Sequence, residues 1–192
     1  MGEVLMYFDQ LCKTMQDLSK HRDTVFVGQG VGCAGTTMTD TLAGVPPEKL
    51  LEFPVAEDFQ MGHCIGLALE GKIPICIFPR WNFMICATNQ IVNHLDRIPT
   101  YSKGQYTPKV IIRVATPITS PFYPGPQHDD DFTDAFKTML RNVRVVTLQT
   151  PESIDREYRK ALEADHSTIL VEYTALYKAH PSGVGSKTVA RA

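Results

Sequence analysis

Residues 50–79 read LLEFPVAEDFQMGHCIGLALEGKIPICIFP. A short extended piece (50–56) leads into a helix that opens at Glu57 and stops at Gly71. The run "IPICIFP" (73–79) then reads as a buried strand, because it shows no polar alternation. Strand, helix, strand is the unit of a parallel sheet. The same alternation continues in both directions. Val4, Leu5, Phe8, Leu11, Cys12, Met15 and Leu18 recur at three and four, which predicts an N-terminal helix. "TVFVGQ" (24–29) is a strand ending in a Gly-rich turn, and residues 46–50 form a short helix opened by prolines. Downstream, "NFMICATNQIVNHLDRI" (82–98) predicts one long, mostly apolar helix, "PKVIIRVA" (108–115) a strand, and "FTDAFKTML" (132–140) a helix. Strand, helix and strand follow at 143–150, 151–165 and 167–177. The expected fold class is α/β, with a mainly parallel central sheet and helices on both faces. We expect one domain over residues 1–178 and a flexible polar tail over 179–192.

Composition narrows the function. A 192-residue chain fits one domain, and 43% apolar residues can build its core. A net charge of -2 leaves no basic footprint for nucleic acid. No apolar run approaches the roughly 18 residues of a membrane span, so no membrane partner is expected. Cysteines at 12, 33, 64, 76 and 86 form no CxxC pair, which suits free thiols and a cytoplasmic location.

Three stretches carry candidate chemistry, each ending an apolar run where open α/β sheets bind ligands. Glu57 stands where a carboxylate can meet a bound ring nitrogen. The glycines of "GQGVGCAG" (28–35) do not complete a dinucleotide fingerprint, since position 33 is cysteine, nor a phosphate loop, since no lysine follows. They read as a flexible turn beside a ligand or subunit surface. Asp129, Asp130 and Asp131 suit the start of the following helix as a cap and as favourable charge. They do not suggest a metal site, because consecutive residues rarely face one ion. His128, in the loop before them, is free to swing toward a ligand.

The strings "VFVGQGVG" (25–32), "PVAE" (54–57), "GHCIGLALEGKIPI" (62–75), "RWNFMICATNQIVN" (80–93), "SKGQYTPKVIIR" (102–113) and "GPQHDDDF" (125–132) stand in a telling order. The chain resembles the N-terminal, pyrimidine-binding domain of the beta subunit of thiamine-diphosphate-dependent 2-oxo acid dehydrogenases, within the transketolase-like superfamily. The family forms are "VFVLGEDVG", "PISE", "GxAxGxAxxGxxPI", "DQIxN", "PxVIR" and "HSQ". The resemblance implies that Glu57 is the glutamate that hydrogen-bonds N1′ of the aminopyrimidine and favours its imino tautomer. Trp81 or Phe83 holds the aromatic position beside that ring, Gln29 lies near it, and His128 faces the substrate. The implied activity is C–C bond cleavage with acyl or ketol transfer, on a 2-oxo acid or ketose-type substrate.

Departures from the family pattern are informative. Gln29 replaces an acid, Asp129 and Asp130 replace serine and glutamine, and Pro79, Arg80 and Trp81 replace a small or apolar lead into the aromatic position. The family's beta subunit continues into a further domain. The GDG…Asn signature that holds the diphosphate in these enzymes is not present in this sequence. The expectation is therefore a domain inactive without a partner: a diphosphate-binding, alpha-like subunit that shares thiamine diphosphate and holds its Mg²⁺. The assembly would be a homodimer or α2β2-like. Gly62, Gly66 and Ala68 on one helix suit close helix approach there. The alternative is a non-catalytic interaction or regulatory domain that retains the fold.

Overall fold

The computed structural model describes residues 6–33, 36–116 and 123–178. Six strands form one sheet: β1 (Thr24–Gly28), β2 (Leu50–Glu52), β3 (Ile73–Phe78), β4 (Ile111–Thr116), β5 (Arg144–Leu148) and β6 (Thr168–Tyr173). The spatial order is β2-β1-β3-β4-β6-β5, and every pair is parallel. β3 and β4 are buried at every position, as double cover requires. All carboxyl ends lie on one edge, with Gly28 beside both Glu52 and Ile77, and Phe78 beside Val114. The chain leaves β1 toward one side of the sheet and β3 toward the other. That reversal marks a crevice between the two strand ends.

Side-chain alternation sends successive strand residues to opposite faces. Phe26, Ile75, Ile77, Ile111 and Leu170 meet α1 (Tyr7–Ser19) and α7 (Pro151–Glu163). Val27, Cys76, Phe78, Ile112, Val114 and Ile169 meet α3 (Glu57–Leu69), α4 (Trp81–Met84) and α6 (Thr133–Met139). α1 buries Tyr7, Leu11, Met15 and Leu18 along one stripe. α7 opens with Pro151 at its first position behind a reciprocal capping box between Thr150 and Ser153. Between β1 and β2 lie a single turn, α2 (Thr37–Asp40), and the proline-opened 3₁₀ turn Pro47–Lys49.

One expectation needs correction. Residues 82–98 do not form one regular helix. α4 passes into a 3₁₀ turn at Ile85–Ala87 and a π-helical stretch at Gln90–Leu95, and α5 (Ile98–Tyr101) follows. The wide turn shows in the bond from Asp96 N to Ile91 O at 2.9 Å, five residues back. Tertiary anchors hold both ends of the stretch. Gln90 Nε2 donates to Asp58 at 3.1 Å. The buried Asp96 Oδ1 accepts the backbone N–H groups of Arg141, Asn142 and Val143 at 2.8, 2.7 and 3.0 Å. The tail expected at 179–192 lies outside the described residues, as do Val4 and Leu5 of the first helix.

Candidate active site

The carboxyl edge of the sheet gathers the candidate residues. Gln29 follows β1, Glu57 lies five residues past β2, residues 79–83 follow β3, and the segment 123–132 lies on the connection from β4 to α6. Glu57 is the first residue of α3, where the unpaired N–H groups and the helix dipole favour a negative charge. It is half-buried, and its carboxylate makes no hydrogen bond or ion pair among the described residues. Its neighbour Asp58 is taken by Gln90.

The two aromatic candidates diverge. Trp81 is 0% exposed and packs its ring on Phe136 at 5.2 Å, so the core covers it. Phe83 is half-buried, and its ring lies 5.3 Å from that of His128. A hydrogen bond from Asn82 Nδ2 to Asp130 Oδ2 at 3.0 Å ties this loop to α4. Gln29 is exposed and without a hydrogen-bond partner among the described residues.

Buried polar atoms concentrate here. Seven buried side-chain nitrogen or oxygen atoms lack a hydrogen bond among the described residues. Two of them, Asp96 Oδ2 and Glu157 Oε2, still face Arg97 and Arg144 at 3.5 and 3.0 Å. Orphaned polar atoms are costly in a folded interior, and four of the other five belong to Arg80, Trp81, Asn82 and His128.

The three aspartates have separate partners. Asp131 Oδ1 accepts from Thr133 N at 2.9 Å and from the Thr133 hydroxyl, which supports the start of α6 as expected, although the residue at the cap itself is Phe132. Asp130 serves Asn82, and the Asp129 charge, after burial, helps push the Tyr123 phenol up. No group of three or more metal-ligating side chains is found among the described residues.

The glycine turn is not loose. Glu52 at the end of β2 accepts from Gly30 N at 2.6 Å and Gly32 N at 2.7 Å, and the Thr39 hydroxyl donates to Gly30 O. Sequence reasoning missed this clamp, and it missed Asn82. No local pattern links Glu52 to glycines some twenty residues earlier. A cavity of about 180 Å³ opens at the opposite edge, lined by Leu95, Asn142, Asp165 and His166 among others, away from all candidate residues.

The fold is the α/β fold of the thiamine-diphosphate, pyrimidine-binding type. A split-gene transketolase, described as an inactive β4 tetramer, matches 89% of this chain and 52% of its own at TM-score 0.67 and 17% identity. The transketolase of Campylobacter jejuni matches 88% of this chain and 26% of its own at TM-score 0.67 and 16% identity. In sequence, the chain is similar to the pyruvate dehydrogenase E1 component subunit beta of Gracilaria tenuistipitata var. liui, 26% identical over 92% of this chain and 55% of that protein. It is also 26% identical to the chloroplastic subunit beta-3 of Oryza sativa subsp. japonica, over 92% of this chain and 45% of that protein. The chain thus spans about half the length of the curated relatives it matches. No family model matches it.

Proposed function

We propose that residues 1–178 are the pyrimidine-binding domain of a split thiamine-diphosphate-dependent enzyme, acting as its beta-like component on a 2-oxo acid or ketose-type substrate. The observation that carries this reading is the set of unpartnered groups at one sheet edge. Among the described residues, Glu57 is half-buried with no partner for its carboxylate, His128 Nδ1 is sealed without a hydrogen bond, and Phe83 lies against His128. This donor set fits an aminopyrimidine, which needs one carboxylate at a ring nitrogen and an apolar wall. Thiamine diphosphate, when bound, supplies an acidic thiazolium carbon and a place to hold carbanion charge.

The chain's own residues then have defined tasks. Glu57 shares a proton with N1′, helped by the positive end of α3. Phe83 is the aromatic candidate with an uncovered side, and Trp81 supports α4 from the core. His128 moves a proton on the substrate side. Gln29 offers neutral hydrogen bonds in place of the family's acid. The diphosphate's charge requires Mg²⁺ and fixed oxygen ligands, and in our reading a diphosphate-binding, alpha-like chain brings both. A homodimer or α2β2-like assembly would bring the two halves together in the cytoplasm.

Reconstitution with such a chain tests the reading. Hydrogen–deuterium exchange at cofactor C2 should proceed in the assembly and fall on the order of 10²–10⁴-fold in Glu57→Gln, which cannot share the proton. His128→Ala should spare C2 exchange and lower substrate conversion, because its task comes later. Unchanged exchange in Glu57→Gln would favour the non-catalytic, regulatory alternative.

A further inference from the structure

We infer that Arg80 is a specificity-determining residue that binds a singly charged carboxylate of the substrate; this rests on the function proposed above. Arg80 stands two residues past the end of β3, beside the β1/β3 reversal. Its Nη1 is sealed from solvent without a hydrogen bond, and the side chain makes no ion pair among the described residues. A guanidinium cannot shed its proton to escape this situation. A guanidinium N–H sealed from solvent without an acceptor is unfavourable, and an incoming anion supplies that acceptor.

The aspartates nearby in the fold do not serve as that anion. Asp130 is bonded to Asn82 and Asp131 to Thr133, and Asp129 acts on the Tyr123 phenol. The Asn82 amide is oriented by this arrangement: a carboxylate accepts only, so Nδ2 faces Asp130 and Oδ1 is left as an unpartnered acceptor. The Asn82 amide is neutral, so Arg80 provides the charge. Its planar fork suits the two oxygens of a carboxylate. The same aspartates set the charge the site tolerates. A carboxylate brings one negative charge, whereas a phosphate ester brings about 1.5 to 2. Carboxylates at the mouth repel the second more strongly than the first.

The test uses the full chain alone, labelled with ¹⁵N, and follows the Arg80 Nε–H resonance at constant ionic strength. Pyruvate is the carboxylate probe and inorganic phosphate the alternative. The expected result is a saturable displacement by pyruvate and a weaker one by phosphate. Read instead through the backbone amides of residues 81–83, Arg80→Gln should abolish the response to pyruvate, and Arg80→Lys should weaken it at least roughly tenfold through loss of the paired hydrogen bonds. The wild-type titration decides the matter even if a variant fails to fold. No displacement by pyruvate overturns the inference, and a phosphate response as strong as that of pyruvate overturns the selection for single charge. Neither result touches the Glu57 exchange experiment, which needs no substrate, so the two failures are separable.

Discussion

Glu172 gathers side chains from three segments of the chain. Arg113 of β4 donates to it at 2.7 and 2.9 Å, and the hydroxyls of Tyr158 on α7 and Tyr177 beyond β6 bond to the same carboxylate. Arg113 also reaches Thr41 Oγ1 at 3.0 Å, which connects the cluster to the segment after α2. Arg113 and Glu172 are both 0% exposed. Burial opposes the Arg113 charge, yet Glu172 and the surrounding tyrosines raise its pKa well above the ordinary value. Burial, together with the Glu172 charge, pushes the Tyr177 phenol well up, so it remains a neutral donor. Glu172→Gln should therefore lower stability by about 3–5 kcal/mol in urea unfolding, since it strands a buried cation. Arg113→Met with Glu172→Gln should recover a large part of that loss. Cysteine reactivity makes a second prediction at this scale. Burial first, then the Asp9 charge, pushes the Cys12 thiol up to about 11. At pH 8 its thiolate fraction is roughly a hundredfold below that of an ordinary thiol. A thiol reagent should therefore label the exposed Cys33 and Cys86 first and Cys12 slowly, and it should reach the buried Cys64 and Cys76 only on unfolding.

At the scale of elements, β1 and β3 approach so closely that only glycine fits at the end of β1. A Cβ at Gly28 would lie 2.8 Å from the Ile77 carbonyl oxygen, a backbone atom that cannot turn away. Gly28→Ala should cost about 1–3 kcal/mol in urea unfolding, and it should disturb the clamped turn beside the site. The cap of α7 is a milder case: Thr150→Ala removes the hydroxyl that accepts Ser153 N at 3.2 Å and should cost about 1 kcal/mol. The helical run after β3 shows where periodicity stops informing. Apolar spacing announced a helix over 82–98, but 3₁₀, α and π turns share a similar stripe, and distant partners of Gln90 and Asp96 select among them.

For the molecule as a whole, α3 and the residues just before it present an apolar surface. Val55 and Phe59 are 69% and 61% exposed, and a Cβ at Gly66 would meet nothing within 4 Å. Gly62 instead faces Gln90 of its own chain. We expect sedimentation at micromolar concentration to show a species larger than 21.4 kDa, and Phe59→Glu to shift it toward monomer. Acid stability follows from depressed carboxylates. Burial pushes Glu157 up, but hydrogen bonds from Arg156 and Lys160 and the Arg144 charge outweigh it and hold its pKa below the ordinary range. The His166 hydrogen bond does the same for Asp165. A depressed folded pKa contributes stability that is present above the unfolded value, near 4, and is lost as pH falls through the folded value. Thermal melts should therefore be flat from about pH 6 to 8 and drop below about pH 4, with a smaller drop in Glu157→Gln.

The amino-acid sequence by itself determined the strand–helix alternation, the two-faced cover of the sheet, and the placement of Glu57 and His128 just beyond apolar runs. These follow from side-chain periodicity and from Pro, Gly and cap residues, which act over a few neighbours. Only the tertiary structure separated Trp81 from Phe83 by burial. The two residues stand two apart, and packing against Phe136, more than fifty residues away, consumed the first. It also closed the glycine turn with Glu52, broke the expected long helix, and left Arg80 Nη1 without an acceptor among the described residues. Each depends on groups far apart in the chain that meet only when β1, β2, β3 and β4 align, and that register is set by packing across the whole sheet.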